Sequence, residues 1–466
     1  MTPLPHLMQG YAAAVPELSQ PWAAASVPEP TLLALDEGLA TELGWDPVWL
    51  RSPEGVRFLV GGHRVPGQPR PVAQAYAGHQ FGHYSPLLGD GRALLLGETT
   101  TTDGRRVDVH LKGSGRTPYA RGGDGLAAVG PMLREHLMGV FAHAVGLPTT
   151  RSLAVVGTGG VVHREEPLPG AVLVRVAASH LRVGTVQHAA ASHGREVLER
   201  LVHHALWRHH AEPAEAGASA GEPEALTLLR AVCDTQARTV AQWIGLGFVH
   251  GVMNTDNMTL SGETIDYGPV ALLDAHDPQA VFSSIDHAGR YAYGNQPAAA
   301  QWNLARLAEA LLPLVDEDPE RAVDRATEVL EEFVERYRAE HTALFSAKLG
   351  LTEPDEQRVG DFLEQLTAEG GDHTGTFDRL TREAAAAGET ERAARMRAVN
   401  PVVVPRNHVV EQTLAAATAG DLGPVHAVAA ALADPFSTPA DPAPEVQALL
   451  APPPVGSPRH VTFCGT

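Results

Sequence analysis

Aliphatic and polar side chains alternate along residues 107–112, and this two-residue period predicts a β-strand with Lys112 on its polar face. An aliphatic run over 93–98 predicts the preceding strand, because a Thr-Asp-Gly turn signal separates the two runs. A further strand is predicted over 171–177, where Arg175 shares a face with buried-looking apolar residues. The first part of the chain is therefore expected to form a sheet.

Apolar residues spaced three and four apart indicate amphipathic helices in the rest of the chain. The predicted helices cover 30–44, 131–145, 228–244, 302–314 and 320–349. Only the first two of these precede residue 185.

Three segments lack such a period. The acidic, Ala- and Gly-rich stretch 212–224 and the Gly-rich stretch 367–376 predict loops, and the Pro-rich stretch 434–458 predicts an extended tail. Together the patterns predict an α+β fold in two parts, with strands concentrated in 1–185 and helices in 186–466.

Composition narrows the class of protein. The chain has 466 residues and a formal net charge of −20, which argues against a nucleic-acid-binding surface. No apolar run approaches the roughly 20 residues of a membrane span, so no membrane partner is expected. The N-terminus has no signal-peptide pattern, and 2 cysteines indicate a reducing compartment, so the cytoplasm is the expected location.

The densest cluster of polar side chains lies in 247–269. Asn257 and, after a short apolar piece, Asp266 supply oxygen atoms of the kind that hard divalent cations prefer. His250 and Asn257 have the separation of the histidine and asparagine in a protein-kinase catalytic loop. Residues 266–268, Asp-Tyr-Gly, stand where a kinase has its metal-binding Asp-Phe-Gly.

One position departs from the kinase pattern. Val252 occupies the place of the kinase catalytic base, and a valine cannot accept a proton from a hydroxyl group. Asp256, next to the predicted metal ligand Asn257, is the obvious replacement for that base.

Phosphate-binding candidates precede this cluster. Lys112 is followed by a helix that carries Glu135, as in the kinase Lys–Glu ion pair, although Glu135 could equally be a solvated helix charge. Burying Arg175 on its strand costs solvation, so an anion is expected to bind it there. Arg182 follows shortly in the chain. Lys112, Arg175 and Arg182 form a plausible triphosphate cradle.

Two glycine turns are candidates for the same ligand, because glycines let backbone amides approach phosphates. Gly89, Gly91 and Arg92 form the first turn, and Asp124 and Gly125 form the second. The alternative is that both are ordinary hairpin turns.

The stretch His-Gly-Val-Met-Asn-Thr-Asp-Asn-Met at 250–258, with Asp-Tyr-Gly-Pro at 266–269, resembles the signature of the selenoprotein O pseudokinases. The resemblance implies a protein-kinase-like bilobal fold, with a mixed β-sheet N-lobe and a large helical C-lobe. It further implies Mg²⁺ or Mn²⁺ as cofactor, and nucleotide contacts from Arg175 and Arg182.

The activity that the resemblance implies is protein adenylylation. ATP would bind in a flipped orientation, and AMP would pass to Ser, Thr or Tyr hydroxyls of protein substrates with release of pyrophosphate. Two alternatives stay open: an ATP-dependent phosphotransferase with Asp256 as base, and a non-catalytic nucleotide-binding scaffold.

Two further features have competing interpretations. His79 and His83 suggest either a metal pair or a packed turn, and the flanking glycines favour the turn. Cys464, third from the end, lies where the family carries a selenocysteine or cysteine, so it is either redox-active or an unpaired tail thiol. The other cysteine, Cys233, is predicted to be core.

Overall fold

A computed structural model describes residues 5–62 and 67–462. Its β-strands, in chain order, are β1 (Ser19–Pro21), β2 (Thr31–Leu35), β3 (Val72–Gln74), β4 (Gly78–Gln80), β5 (His83–Ser85), β6 (Ala93–Thr100), β7 (Arg106–Lys112), β8 (Ala127–Ala128), β9 (Arg151–His163), β10 (Pro167–Ala177), β11 (Phe248–Val249) and β12 (Ala271–Leu272).

The α-helices, in chain order, are α1 (Gly10–Ala14), α2 (Glu37–Glu42), α3 (Pro47–Leu50), α4 (Pro53–Leu59), α5 (Val129–Ala144), α6 (Val183–Ser192), α7 (Gly194–His209), α8 (Ala211–Ala220), α9 (Glu224–Leu246), α10 (Gln296–Val315), α11 (Pro319–Lys348), α12 (Glu356–Glu369), α13 (His373–Ala386), α14 (Thr390–Arg397), α15 (Asn407–Thr418), α16 (Gly423–Leu432) and α17 (Pro444–Ala448). Short 3₁₀ helices cover Pro16–Leu18, Thr255–Asn257 and Tyr293–Asn295. Across both described ranges, no helix is long and apolar enough to cross a bilayer.

The main sheet has 8 strands in the order β1-β3-β6-β7-β10-β9-β2, with β8 paired to β10. Every pairing between its strands in the described ranges is antiparallel. The expectation of a mixed sheet is therefore wrong. The reason is that β6–β7 and β9–β10 are joined by short hairpins, whereas parallel neighbours need long crossover connections.

The predicted strands over 93–98, 107–112 and 171–177 are confirmed as parts of β6, β7 and β10. Their alternation separates two surfaces. Val107, Val109, Leu111 and the β10 valines pack against the N-terminal helices α2–α4 in one core. The opposite face of β7 and β10 carries Lys112 and Arg175 toward α5.

The predicted helices over 131–145 and 228–244 are confirmed as α5 and α9, and Cys233 is buried in α9 as expected. The second large core joins α5 and one sheet face to the helices α6, α7, α9 and α10. A continuous core therefore connects the strand region to the helical region, and it fixes α5 between them.

Three predictions of local structure are wrong. Residues 30–44 form strand β2 and then the short helix α2, because Thr31–Leu35 pairs with the edge of β9. Residues 212–224 are largely helical, since the alanine-rich α8 continues until Gly221 takes the left-handed conformation with φ 70°. Residues 367–376 contain the end of α12 and the start of α13, with only a short connection between them.

The predicted C-terminal tail is confirmed in part. Residues 434–458 contain the short helix α17 and otherwise no regular structure. The last described residue, Thr462, is buried and donates a hydrogen bond from its hydroxyl to the carbonyl of Pro269 over 2.9 Å. Cys464 lies outside the described residues.

Candidate functional site

Helix α5 places Glu135 on the face of the neighbouring strands β7 and β10, where it contacts two cations. Lys112 donates a hydrogen bond to Glu135 Oε1, and Arg175 donates to Glu135 Oε2 over 2.5 Å. All three side chains are buried, so the interpretation of Glu135 as a solvated helix charge is wrong. Burial alone would raise the pKa of Glu135, but Arg175 and Lys112 outweigh it and hold the pKa below its ordinary value.

Asp266 completes this group, and together with Lys112 and Glu135 it lines a cavity that we call the cleft. Its Oδ1 atom accepts a hydrogen bond from Lys112. Burial opposes ionisation of Asp266, yet the charges of Lys112 and Arg175 lower its pKa far below the ordinary value. Its backbone has φ 67°, a conformation that non-glycine residues adopt where their surroundings impose it. The carboxylate is thus held ionised and in a fixed direction.

The segment before Asp266 is tied to the loop that carries Asn257. His250 is fully buried and donates a hydrogen bond from Nε2 to the carbonyl of Ile265 over 3.0 Å. Burial lowers the pKa of His250, which keeps the ring neutral and suited to this contact. His250 therefore fixes the two halves of the predicted metal-binding motif to each other.

Asn257 and Val252 face each other across the same loop. The Asn257 amide nitrogen donates to the Val252 carbonyl over 3.1 Å, so the amide oxygen is the atom that can bind a cation. Val252 is only 8% exposed and its side chain holds no acceptor, as the sequence predicted.

Asp256 lies in the 3₁₀ helix Thr255–Asn257, next to this apolar position. Burial raises its pKa to about 6, although Arg182 and a hydrogen bond from Gln80 lower it in part. Its Oδ1 atom is buried and has no hydrogen-bond partner among the described residues. A half-buried carboxylate with an unpartnered oxygen atom and a pKa of about 6 has the chemistry of a general base.

Arg182 stands directly before α6 and reaches the Asp256 loop. It donates from Nη1 to the Asp256 carbonyl over 3.3 Å, and its guanidinium lies 4.3 Å from the ring centre of Tyr76. Asp90 approaches it at 4.0 Å and is itself held by His110 Nε2 at 3.1 Å. The Nε atoms of Arg182 and Arg175 are buried without a partner in the described ranges, and both can donate to an anion.

The two glycine turns are closely packed. Gly89 has φ 71°, and a Cβ atom there would stand 2.4 Å from the Tyr119 ring. Gly125 has φ 73° and packs against the backbone of Gly115. Both turns need glycine for close packing, so hairpin geometry alone explains these glycines, and their contact with a nucleotide stays a prediction.

Charged residues of the turns are placed differently. The Asp124 carboxylate accepts two hydrogen bonds from Arg164, at 2.8 and 3.1 Å. Arg92, by contrast, lines a cavity of about 310 Å³ together with Lys112, Glu135 and Asp266. Arg92 also contributes to the low pKa of Asp266. The structure thus brings Arg92, but not the Asp124 carboxylate, to the charged group around Lys112.

The far wall of this cavity was not predicted. Helix α15 lines it with Leu414, Ala415 and Thr418, and Val461 of the tail closes one side. These residues follow Lys112 by some three hundred positions, and no spacing rule links them to it. Asp90 was also missed as a charged group, although it lies within the Gly-Asp-Gly turn that the sequence singled out.

The pair Asn257 and Asp266 fits a hard divalent cation. Within residues 5–62 and 67–462, no group of three or more His, Cys, Asp and Glu side chains forms a metal cage. A site with one carboxylate and one amide oxygen is nevertheless the kind that Mg²⁺ uses, because Mg²⁺ keeps several waters and takes substrate phosphates as ligands. His79 and His83 lie in the hairpin formed by β4 and β5, as the interpretation of this segment as a turn predicted.

Comparison with known proteins agrees with this arrangement. The family described as "Protein adenylyltransferase SelO" matches residues 9–388. A protein named "Protein nucleotidyltransferase YdiU" from Mycobacterium sp. (strain KMS) is 52% identical over 482 residues, covering 98% of both chains. The proteins of that name from Pseudarthrobacter chlorophenolicus and Cereibacter sphaeroides are each 52% identical; the first covers 98% of this chain and 97% of its own, the second 96% of both. The chain therefore belongs to the SelO family of protein adenylyltransferases.

Proposed function

We propose that this chain transfers AMP from ATP to Ser, Thr or Tyr hydroxyls of proteins, with Asp256 as the general base. One observation carries the proposal most directly. The kinase base position holds the buried Val252, while Asp256 in the same loop offers an unpartnered carboxylate oxygen. A proton acceptor is thus available, but not where a phosphorylating enzyme has it.

The positive charge supports a flipped nucleotide. Lys112, Arg175 and Arg182 are all buried, and the two arginines retain unpartnered Nε donors. We assign these cations to the β- and γ-phosphates, which places the α-phosphate toward the Asp256 loop. Arg92, Gly89, Gly91, Asp124 and Gly125 belong to the same proposal as the outer edge of the nucleotide site.

The transfer would be one displacement at the α-phosphorus. Asp256 takes the proton of the acceptor hydroxyl, and the hydroxyl oxygen bonds to the α-phosphorus as its bond to the bridging oxygen breaks. Pyrophosphate leaves with that electron pair. Lys112, Arg175 and Arg182 stabilise its growing negative charge, and Glu135 holds Lys112 and Arg175 in place.

Asn257 and Asp266 would hold Mg²⁺ or Mn²⁺, which supplies further charge neutralisation for the phosphates when bound. Asp266 also keeps Lys112 directed into the cleft through their ion pair. The kinase-like bilobal arrangement, with residues 1–185 and 186–466 as its two parts, belongs to this proposal as well. The ion pair between Lys112 of the strand region and Asp266 of the helical region supports it.

ATP labelled on either the α- or the γ-phosphate tests the reaction. We expect a protein acceptor to gain label from the α-labelled nucleotide only, and to lose that gain with Asp256→Asn. Label from the γ-labelled nucleotide would favour phosphotransfer. ATP binding without any label would favour a non-catalytic scaffold.

A further inference from the structure

A small hairpin outside the main sheet lies directly on the Asp256 loop. Strands β4 and β5 pair only with each other in the described part of the chain, and they form a separate two-stranded sheet. The hairpin tip, Phe81-Gly82, has positive φ at both residues, 50° and 86°. Such a tip keeps one conformation only where its surroundings hold it.

Two backbone amides of the hairpin hold the residues before Asp256. His79 donates from its backbone nitrogen to Thr255 Oγ1 over 2.7 Å. Phe81 donates in the same way to Asn254 Oδ1 over 3.0 Å. Thr255 and Asn254 are both buried, so these hydrogen bonds are shielded from water.

Gln187 of α6 completes a ring of hydrogen bonds that joins it to Thr255 and His79. The Thr255 hydroxyl donates to Gln187 Oε1 over 2.8 Å. The Gln187 amide nitrogen donates in turn to His79 Nδ1 over 3.0 Å. Thr255, Gln187 and His79 therefore fix one another, and the hydroxyl of Thr255 both accepts and donates.

The hairpin also limits the space around the Asp256 carboxylate. A Cβ atom added to Gly78 would stand 2.6 Å from Asp256 Oδ1 and 2.7 Å from Leu88 Cδ1. On the other side, a Cβ atom added to Gly184 would stand 2.1 Å from the Ala77 carbonyl and 3.5 Å from Asp256 Cα. Gly78 thus packs against the Asp256 carboxylate and Gly184 against the Asp256 backbone, so a side chain at Gly78 would displace the carboxylate.

We propose that the hairpin β4–β5 and Gln187 are a clamp that positions Asp256 for proton transfer, with Thr255 and Gln187 as positioning residues. Neither side chain touches a phosphate-binding cation, so the clamp acts on the base and not on the nucleotide. The proposal rests on the proposed function, because it assigns a role to the same carboxylate.

The arrangement makes a separable kinetic prediction. Loss of the clamp should lower kcat, because the Asp256 carboxylate would no longer meet the acceptor hydroxyl in the reactive geometry. It should leave ATP affinity unchanged, because Lys112, Arg175 and Arg182 keep their contacts. A merely structural role would instead change stability and both constants together.

The test compares Thr255→Val with Thr255→Ser in the full chain. Valine has the shape of threonine without the hydroxyl, whereas serine keeps the hydroxyl and its ring of hydrogen bonds. The matched control is Thr381→Val, since Thr381 is equally buried and donates to the Phe377 carbonyl over 2.7 Å, away from the cleft. Initial rates use α-labelled ATP with casein as the acceptor, alongside ATP affinity by calorimetry.

We expect Thr255→Val to lower kcat by about tenfold or more, with ATP affinity within about twofold of the parent chain. Thr255→Ser should restore most of the rate, and Thr381→Val should keep it. Gln187→Leu removes the same hydrogen bonds from the α6 side and should reproduce the Thr255→Val result. It replaces Thr255→Val as the test if that variant does not fold.

Parent-like kcat in Thr255→Val or Gln187→Leu, or a parallel loss of ATP affinity, would overturn the clamp. Failure of Thr255→Ser to recover the rate would do so as well. Absence of AMP transfer by the parent chain would instead contradict the proposed function, so the two failures are distinguishable.

Discussion

Arg175 donates a hydrogen bond to Glu135 Oε2 over 2.5 Å, deep between the sheet and α5. Lys112 occupies the other oxygen of the same carboxylate. Two buried cations therefore share the carboxylate of Glu135, and Lys112 also pairs with Asp266. The site is preorganised for further negative charge, because Glu135 alone does not neutralise both cations and Asp266 is shared with the predicted metal ion.

Glu135→Gln should destabilise the chain by roughly 3–5 kcal/mol, because it leaves two buried cations with one fewer counter-charge. Urea unfolding measures the loss. The control is Glu199→Gln, since Glu199 pairs with Arg195 in an exposed helix pair worth less than about 1 kcal/mol. Equal stability of the two variants would show that the charge of Glu135 does not stabilise the buried group of Lys112 and Arg175.

Asp256→Asn should reduce AMP transfer by about 10²–10⁴, the usual contribution of a general base. ATP affinity should remain within a few-fold, because the substitution keeps the size of the side chain and leaves Arg182 bound to the backbone carbonyl of residue 256. Initial rates and calorimetric binding give the two quantities. An active Asp256→Asn variant would rule out the assigned base.

Asp266→Ala should remove the metal dependence of ATP binding, because it deletes the carboxylate of the predicted cation site. Binding is measured with Mg²⁺ and with EDTA. The parent chain should bind ATP more tightly with Mg²⁺, whereas the variant should bind equally under both conditions. Asp277→Ala, at an exposed carboxylate, should behave like the parent. A variant at 266 that still responds to Mg²⁺ would place the ion elsewhere.

Lys348 provides a test of pH dependence away from the site. It is buried at the end of α11, with its ammonium 4.4 Å from the ring centre of Phe377. Burial lowers its pKa from 10.5 to about 7. Between those values the unfolded chain binds more protons than the folded chain, so this group makes stability rise with pH. Below about pH 7 the folded chain buries the charged ammonium of Lys348, and the full destabilisation of the folded state is present.

Lys348→Met should therefore unfold at a higher temperature than the parent chain at pH 6. The advantage should shrink as the pH rises toward 10, where the lysine is already neutral in the folded chain. Calorimetric melting curves of both chains at pH 6, 8 and 10 measure the difference. A constant difference across this range would mean that Lys348 titrates normally.

The sequence predicted those parts of the fold and site that depend on short-range patterns. The strand period placed Lys112 opposite the aliphatic face of its strand. The order of strand and helix, as in the kinase Lys–Glu ion pair, indicated Glu135 as the partner of Lys112. The motif spacing placed His250 within reach of the segment before Asp266, where it contacts the carbonyl of Ile265. Each of these relations is set by one strand, one helix or one turn, so local sequence is sufficient.

Relations between distant segments were beyond such patterns. Residues 31–35 became a strand because the β9 edge offered partners, although their apolar spacing is also compatible with a helix. Leu414 and Thr418 reach the cavity through the packing of α15 on α5, and Gln187 reaches Thr255 across the core. Tertiary packing decides such contacts, and no local period encodes it.

The mass of the modified protein tests the central claim, that the nucleotide reacts at its α-phosphorus. Casein and the chain itself are incubated with ATP and Mg²⁺, and each intact mass is measured before and after. The account predicts a gain equal to one AMP moiety, with one pyrophosphate released for each, and no gain with Asp256→Asn. A gain equal to one phosphoryl group would contradict it.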